Sequence, residues 1–263
     1  RRRQRPKLVL HVDINETIMI GDPAGGDTFE DCLNKIICKM AFIRVPSGRA
    51  DDALSAQSID EVTWWDGTPL ALDATPLQAP PELLTHFEWP EGCVPFYKNG
   101  ALKKAFAKGF TEAGSPGHVY RGFFFKLEHA MRLPGDVQVD SRFSRDGVHH
   151  LLLPAFFETL RTLHASERDF SLVVRTFGSD GADVAKAITA WAQGKHPSVP
   201  GVPTLTIDET RGGLWVGKYD EAGKYSLRPD GEAPPERGFS HLDEAGALEL
   251  LEARHMGRAA RSE

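Results

Sequence analysis

The stretch Lys7-Leu8-Val9-Leu10-His11-Val12-Asp13-Ile14-Asn15-Glu16-Thr17-Ile18 constrains the fold more than any other part of this chain. A short apolar run ends abruptly in an aspartate, and a hydroxyl residue follows four positions later. Val9, Leu10, Val12 and Ile14 have the β-branched, apolar character of a strand buried on both faces. An aspartate at the carboxyl end of such a strand projects into the crevice where open α/β sheets bind ligands. Far downstream, Phe170-Ser171-Leu172-Val173-Val174-Arg175-Thr176-Phe177-Gly178-Ser179-Asp180 reads as a second strand that ends the same way, at Thr176. Asp13 at one tip and Thr176 at another can converge on one phosphate-sized site.

At these residues the chain resembles the haloacid dehalogenase (HAD)-like superfamily, most of whose members are phosphohydrolases. The family's first motif, an apolar strand followed by Asp-x-Asp-x-Thr, is matched by Asp13-Ile14-Asn15-Glu16-Thr17, with Asn15 where phosphatases carry a second Asp. Its second motif, an apolar strand followed by Thr or Ser, is matched at Arg175-Thr176-Phe177-Gly178. The resemblance covers the start of the chain and the stretch from His149 to Trp191. It implies an α/β fold: a Rossmann-like three-layer core with a largely parallel sheet, plus a large cap-like region inserted after the first strand. The core would comprise residues 1–21 and 150–263, and the insert residues 22–149.

The resemblance also implies roles. Asp13 would attack phosphorus and form an aspartyl-phosphate. Mg²⁺ would offset the repulsion between Asp13 and a small phosphorylated substrate, held by the Asp13 carboxylate and the backbone carbonyl of Asn15. Thr176 would donate its hydroxyl to a phosphoryl oxygen. Asn15, Thr17, Phe177 and Gly178 would line the substrate, with backbone N–H groups cradling its oxygens.

Departures from the pattern qualify those roles. In family phosphatases the second Asp protonates the leaving group and then activates water; the amide of Asn15 transfers no proton. Losing general acid–base help costs about 10²–10⁴-fold in rate. The remaining routes are a substrate with a good leaving group, a proton from Glu16 or the insert, or a site that binds phosphate without turning it over. The family's third motif, a Lys or Arg, has no convincing match: Lys186 lies on the helix after Thr176, and Lys218 in a hairpin. The acidic pair of the fourth motif has one candidate, Asp208-Glu209, whose Asp208 would join the metal site. It comes soon after Thr176, so the true fourth motif is expected beyond residue 263 and the core is read as truncated at its C-terminus. A non-catalytic relative that binds a phosphorylated ligand or a protein partner is the second reading. A nucleotide-binding protein of another family is the third, disfavoured because no Gly-Lys-Ser/Thr ending or Gly-x-Gly-x-x-Gly follows a strand.

Composition narrows the setting. A net charge of −6 gives no expectation of nucleic-acid binding. The basic start, Arg1-Arg2-Arg3-Gln4-Arg5-Pro6-Lys7, reads as a solvated tail, and the first residue is not Met, as in a processed or partial chain. Three cysteines, Cys32, Cys38 and Cys93, form no disulfide framework and read as core thiols in a reducing, cytoplasmic setting. No apolar run approaches the roughly 18 residues that a membrane span needs.

Between the motifs, Gly21 to Asp27 reads as a loop and a mobile flap beside the site. Asp27 or Thr28 caps a helix whose apolar face is Phe29, Cys32, Leu33, Ile36, Ile37 and Met40. Prolines at 46, 69, 76, 80, 81, 90 and 95 disfavour long elements. Trp64-Trp65 precedes the turn Asp66-Gly67 and is read first as a hydrophobic anchor, second as a pocket wall. Tyr97 to Thr111 carries helical spacing. Val119 to Leu133 is a helix, with Phe123-Phe124-Phe125 equally compatible with a strand. Pro154 opens a helix, and Gly181 to Trp191 forms the helix after Thr176. Adjacent His149 and His150 are not read as metal ligands, because neighbouring side chains diverge. Pro203 to Ile207 reads as a strand, Leu214–Tyr219 with Lys224–Leu227 as a hairpin, and Leu242 to His255 as a helix.

Overall fold

A computed structural model describes residues 6–23, 25–72, 81–85, 87–176, 178–207, 215–229, 239–242 and 245–246. The helices are α1 (Phe29–Met40), α2 (Ala50–Ser55), α3 (Gly100–Phe106), α4 (Arg121–Ala130), α5 (Pro154–Ala165) and α6 (Gly181–Ala192). The strands are β1 (Leu8–Asp13), β2 (Phe42–Arg44), β3 (Thr63–Trp64), β4 (Val94–Pro95), β5 (Phe170–Arg175), β6 (Trp215–Tyr219), β7 (Tyr225–Pro229) and β8 (Phe239–Leu242). The fold is mixed α/β and divides into two compact units, one of residues 1–18 and 133–263, the other of residues 19–132.

In the first unit β1 pairs with β5 in parallel, Leu8 opposite Phe170 through Asp13 opposite Arg175. Among the described residues these two strands make the whole parallel sheet. The expectation of a strand buried on both faces is not met: Leu8 to Val12 are half-buried, and the fully buried Ile14 lies just past the strand. The connection from β5 into α6 is the strand–turn–helix expected around Thr176. Pro154 occupies the first turn of α5, where its missing N–H costs nothing. Phe157 of α5 and Trp191 of α6 bring their rings to 5.1 Å. The hairpin forms as read, β6 with β7, and β8 adds a third antiparallel strand.

Two elements of this unit differ from expectation. Pro203–Leu205 is a turn of 3₁₀ helix, not a strand. The Leu205 N–H donates to the Val202 carbonyl, and the Thr206 hydroxyl to the Pro203 carbonyl at 2.9 Å. Such local bonds offer the backbone an alternative to a ladder. Leu242 ends strand β8, so the expected helix does not begin there; Ala245 and Gly246 are helical, while Asp243, Glu244 and the residues past Gly246 lie outside the described residues.

The second unit is built around α1. Thr28 caps it, accepting from the Asp31 N–H, while Asp31 reaches back to the Thr28 N–H, a reciprocal capping box. Cys32, Leu33, Ile37 and Cys38 are buried, joined by Asn34, whose Oδ1 accepts from Thr111 N–H and Oγ1 at 2.8 and 2.7 Å. The three-stranded antiparallel sheet β3-β2-β4 is very short, as seven prolines in that stretch dictate. Trp64 is a core residue, its ring 5.5 Å from Tyr120 and 6.2 Å from Phe96. Trp65 is half-buried and donates to the Glu82 carbonyl. The expected Tyr97–Thr111 helix is shorter: it restarts at the Asn99 cap and ends at Phe106, ahead of Gly109. The Phe123-Phe124-Phe125 run is helical, and only Phe124 of the three is buried. All three cysteines are buried, and burial pushes the Cys38 and Cys93 thiols up. Among the described residues no helix is long and apolar enough to cross a membrane.

Candidate functional site

The site is assembled at the carboxyl ends of β1 and β5. Parallel pairing in this register puts the two tips side by side, with Asp13 opposite Arg175. Past Asp13 the chain turns at once. The Thr17 and Ile18 N–H groups both donate to the Ile14 carbonyl, at 3.3 and 3.0 Å. Burial of Ile14 anchors this turn, and Glu16 adopts a left-handed conformation, φ 58°, that non-glycine residues seldom take. The Leu153 N–H, at the entrance to α5, donates to the Ile18 carbonyl at 2.8 Å and ties down the far end of the turn. Asp13 and Thr17 are exposed, and Asn15 is half-buried.

The Thr176 hydroxyl lies 3.4 Å from Asn15 Oδ1. The Gly178 N–H, expected to face a phosphoryl oxygen, here donates to Thr176 Oγ1 at 3.0 Å. Phe177 and Asp208, the other residues named from sequence, lie outside the described residues. Asp13, Asn15, Thr17, Thr176 and Gly178 therefore all belong to one pair of strand-tip turns, with Asn15 and Thr176 in direct contact.

Two further residues complete the network and were not singled out from sequence. Asp180, only 5% exposed at the start of α6, accepts from Asn15 Nδ2 at 3.5 Å and from Arg145 Nη2 at 2.7 Å. Arg145 also lies 3.8 Å from Asp183. It reaches the site from a loop held by its own side chains. The Ser144 hydroxyl accepts from the Gly147 N–H. Asp146 Oδ1 accepts from the Val148 and His149 N–H groups, and Asp146 Oδ2 meets the His149 ring at 2.6 Å. Burial pushes the Asp146 carboxyl up, but the hydrogen bonds from His149 and Val148 outweigh it and hold the group at about 2. A signal for Asp180 existed: it stands one helical turn past Thr176, at the N-cap of a helix. Arg145 had none, since it sits in an irregular, turn-rich stretch.

His149 and His150 turn to different partners. His149 meets Asp146, whereas the His150 ring lies parallel to that of His196, 5.3 Å away. Parallel stacked rings aim their lone pairs alongside one another rather than at one point.

No protein-family model, no curated protein and no solved structure matches this chain. The site is therefore read from its own geometry. Its resources are an exposed carboxylate at a strand end, a hydroxyl and an amide in contact, a buried carboxylate and two arginines.

Proposed function

We propose that this chain is a HAD-like phosphohydrolase or phosphotransferase acting through Asp13, on small phosphorylated substrates with good leaving groups. The observation that carries the reading is the in-register parallel pairing of β1 with β5, which sets Asp13 and Thr176 at adjacent tips with Asn15 and Thr176 in contact. In this reading the Asp13 carboxylate attacks phosphorus and the leaving group departs with the electrons of its bond. Water then hydrolyses the acyl phosphate, releasing phosphate and regenerating Asp13. An acyl phosphate or anhydride leaves as a weak base and needs no proton, so an amide at position 15 is compatible with turnover. Arg145 and Arg175 supply positive charge at the tips.

Mg²⁺ belongs to the same reading. The donors at the tips that would hold it are hard oxygens, the Asp13 carboxylate and the backbone carbonyl of Asn15, which suit Mg²⁺ in kind. When bound, the ion would offset the charge repulsion between Asp13 and the phosphoryl oxygens. A Rossmann-like three-layer core with a cap-like insert, and a cytoplasmic setting, complete the proposal.

A specific observation favours a second reading, a non-catalytic binder of a phosphorylated ligand. Asn15, which transfers no proton, stands at the tip between Asp180 and Thr176, where a phosphatase would carry its general acid. The two readings part on one experiment. The chain is incubated with acetyl phosphate and Mg²⁺, quenched with hydroxylamine and mapped by mass spectrometry. A hydroxamate at Asp13, absent in Asp13→Asn, supports catalysis. Phosphate release that survives Asp13→Asn refutes it, and binding of phosphate with no release favours the second reading.

A further inference from the structure

Positions 15 and 180 hold one amide and one carboxylate, and hydrogen bonding decides which way the amide faces. An ionised carboxylate only accepts. Asp180 Oδ1 takes the Arg145 guanidinium at 2.7 Å, and Oδ2 faces Asn15 at 3.5 Å. Asn15 must therefore present its Nδ2 to Asp180, which turns its Oδ1 toward Thr176. That oxygen also only accepts, so the Thr176 hydroxyl donates to it, and the hydroxyl oxygen in turn accepts the Gly178 N–H. The result is one directed chain of contacts from Gly178 through Thr176 and Asn15 to Asp180, with long links of 3.4 and 3.5 Å at Asn15, closed by Arg145. A flipped Asn15 amide would set two oxygens face to face. An aspartate at position 15 would do the same with full charge on both sides, beside a carboxylate that is 5% exposed.

We propose that Asp180 is the positioning residue of the strand-tip site: acting through Asn15 it aims the Thr176 hydroxyl, and from the start of α6 it supplies the carboxylate that position 15 lacks. The asparagine in the first motif and the aspartate before α6 are thus one coupled choice. The consequence for ligand binding rests on the phosphoryl-transfer reading; the pairing itself does not.

The test is a swap. Four chains are compared: the wild type, Asn15→Asp, Asp180→Asn and the double substitution. The probe is beryllium trifluoride with Mg²⁺, followed by fluorine NMR, and melting temperatures are recorded for all four. Each single substitution is expected to lower the melting temperature and to weaken binding about tenfold, a coupling of the size seen between contacting residues. The double substitution restores one amide facing one carboxylate, with Asp183 still 3.8 Å from Arg145, and is expected to recover most of both losses. A residue that merely filled space would not be rescued by exchanging the two groups. An Asn15→Asp chain that melts and binds like the wild type would overturn the proposal, as would a double substitution whose losses equal the sum of the singles. If Asp180→Asn alone fails to fold, a folded double substitution supports the pairing and an unfolded one overturns it. If no chain binds the probe, the wild type included, the phosphoryl reading fails while the four melting temperatures still decide the pairing.

Discussion

Acidification from pH 7 to pH 4 should weaken the unit that contains α5 and α6, chiefly through His196. Its ring is 8% exposed, lies parallel to His150 at 5.3 Å, and is flanked by Phe143 at 4.9 Å and Phe157 at 4.8 Å. Its Nδ1 accepts the N–H groups of Ser198 and Val199, at 3.2 and 3.0 Å, so protonation there must break both bonds. Burial, reinforced by the neighbouring His150, lowers its pKa from 6.5 to about 4. In the unfolded chain the ring takes its proton near 6.5; in the folded chain it resists until about 4. Between those values the unfolded state holds more protons, so the stabilisation is fully present above 6.5 and is lost as pH falls toward 4. The gap, at roughly 1.4 kcal/mol per pH unit, is worth about 3 kcal/mol. His150, which burial also lowers, adds in the same direction. Asp140 and Asp146, both held at about 2, lose their contributions only below this window. Hydrogen exchange of the α5 and α6 amides, read by mass spectrometry from pH 7 to pH 4, measures the loss locally. His196→Asn keeps an acceptor near the Nδ1 position and does not titrate, so its profile should be flatter by about 3 kcal/mol. Equal slopes for His196→Asn and the wild type would refute the reasoning.

Other substitutions probe the second unit. A Cβ at Gly117 would sit 2.5 Å from the Phe110 carbonyl oxygen and ring, whereas one at Gly122, inside α4, would meet nothing within 4 Å. Gly117→Ala should therefore lower the melting temperature, and Gly122→Ala should raise stability by about 0.5–1 kcal/mol, both measured by thermal denaturation. Asn99 is fully buried, caps α3 through the Leu102 N–H, and donates to the Ala53 and Ala56 carbonyls. Asn99→Ala should cost about 2 kcal/mol or more in urea denaturation, and a loss near zero would mean that those groups find other partners. Trp64→Ala should cost about 3–5 kcal/mol in the same assay, as for other buried tryptophans.

What the sequence revealed and what it hid divide along sequence distance. β1 and β5 were legible because their apolar runs stop at polar tips. α1 was legible because a capping residue at Asp27 or Thr28 and the apolar spacing agree at one end. The Tyr219–Tyr225 hairpin was legible because Asp220 to Gly223 breaks two strand-like runs. Each of these is decided within about a dozen residues. The turn at Pro203–Leu205 was missed because the Thr206 hydroxyl and a local carbonyl outcompeted strand propensity. Asp180 and Arg145 were missed for a different reason. Asp180 meets Asn15 across 165 positions of sequence, and Arg145 reaches Asp180 from an irregular loop 35 positions away. Composition and periodicity carry no record of such meetings. The asparagine at position 15 looked like a loss from the motif; next to a buried carboxylate it is the group that fits.

The most direct test of Asp13 is fluorine NMR of beryllium trifluoride with the intact chain and with Asp13→Ala, each with and without Mg²⁺. This probe mimics an aspartyl-phosphate and requires no general acid, so Asn15 does not obscure the result. A bound resonance that needs Mg²⁺ and vanishes in Asp13→Ala is the expected outcome. A resonance unchanged in Asp13→Ala, or none in the wild type with Mg²⁺ present, would contradict phosphoryl transfer through Asp13.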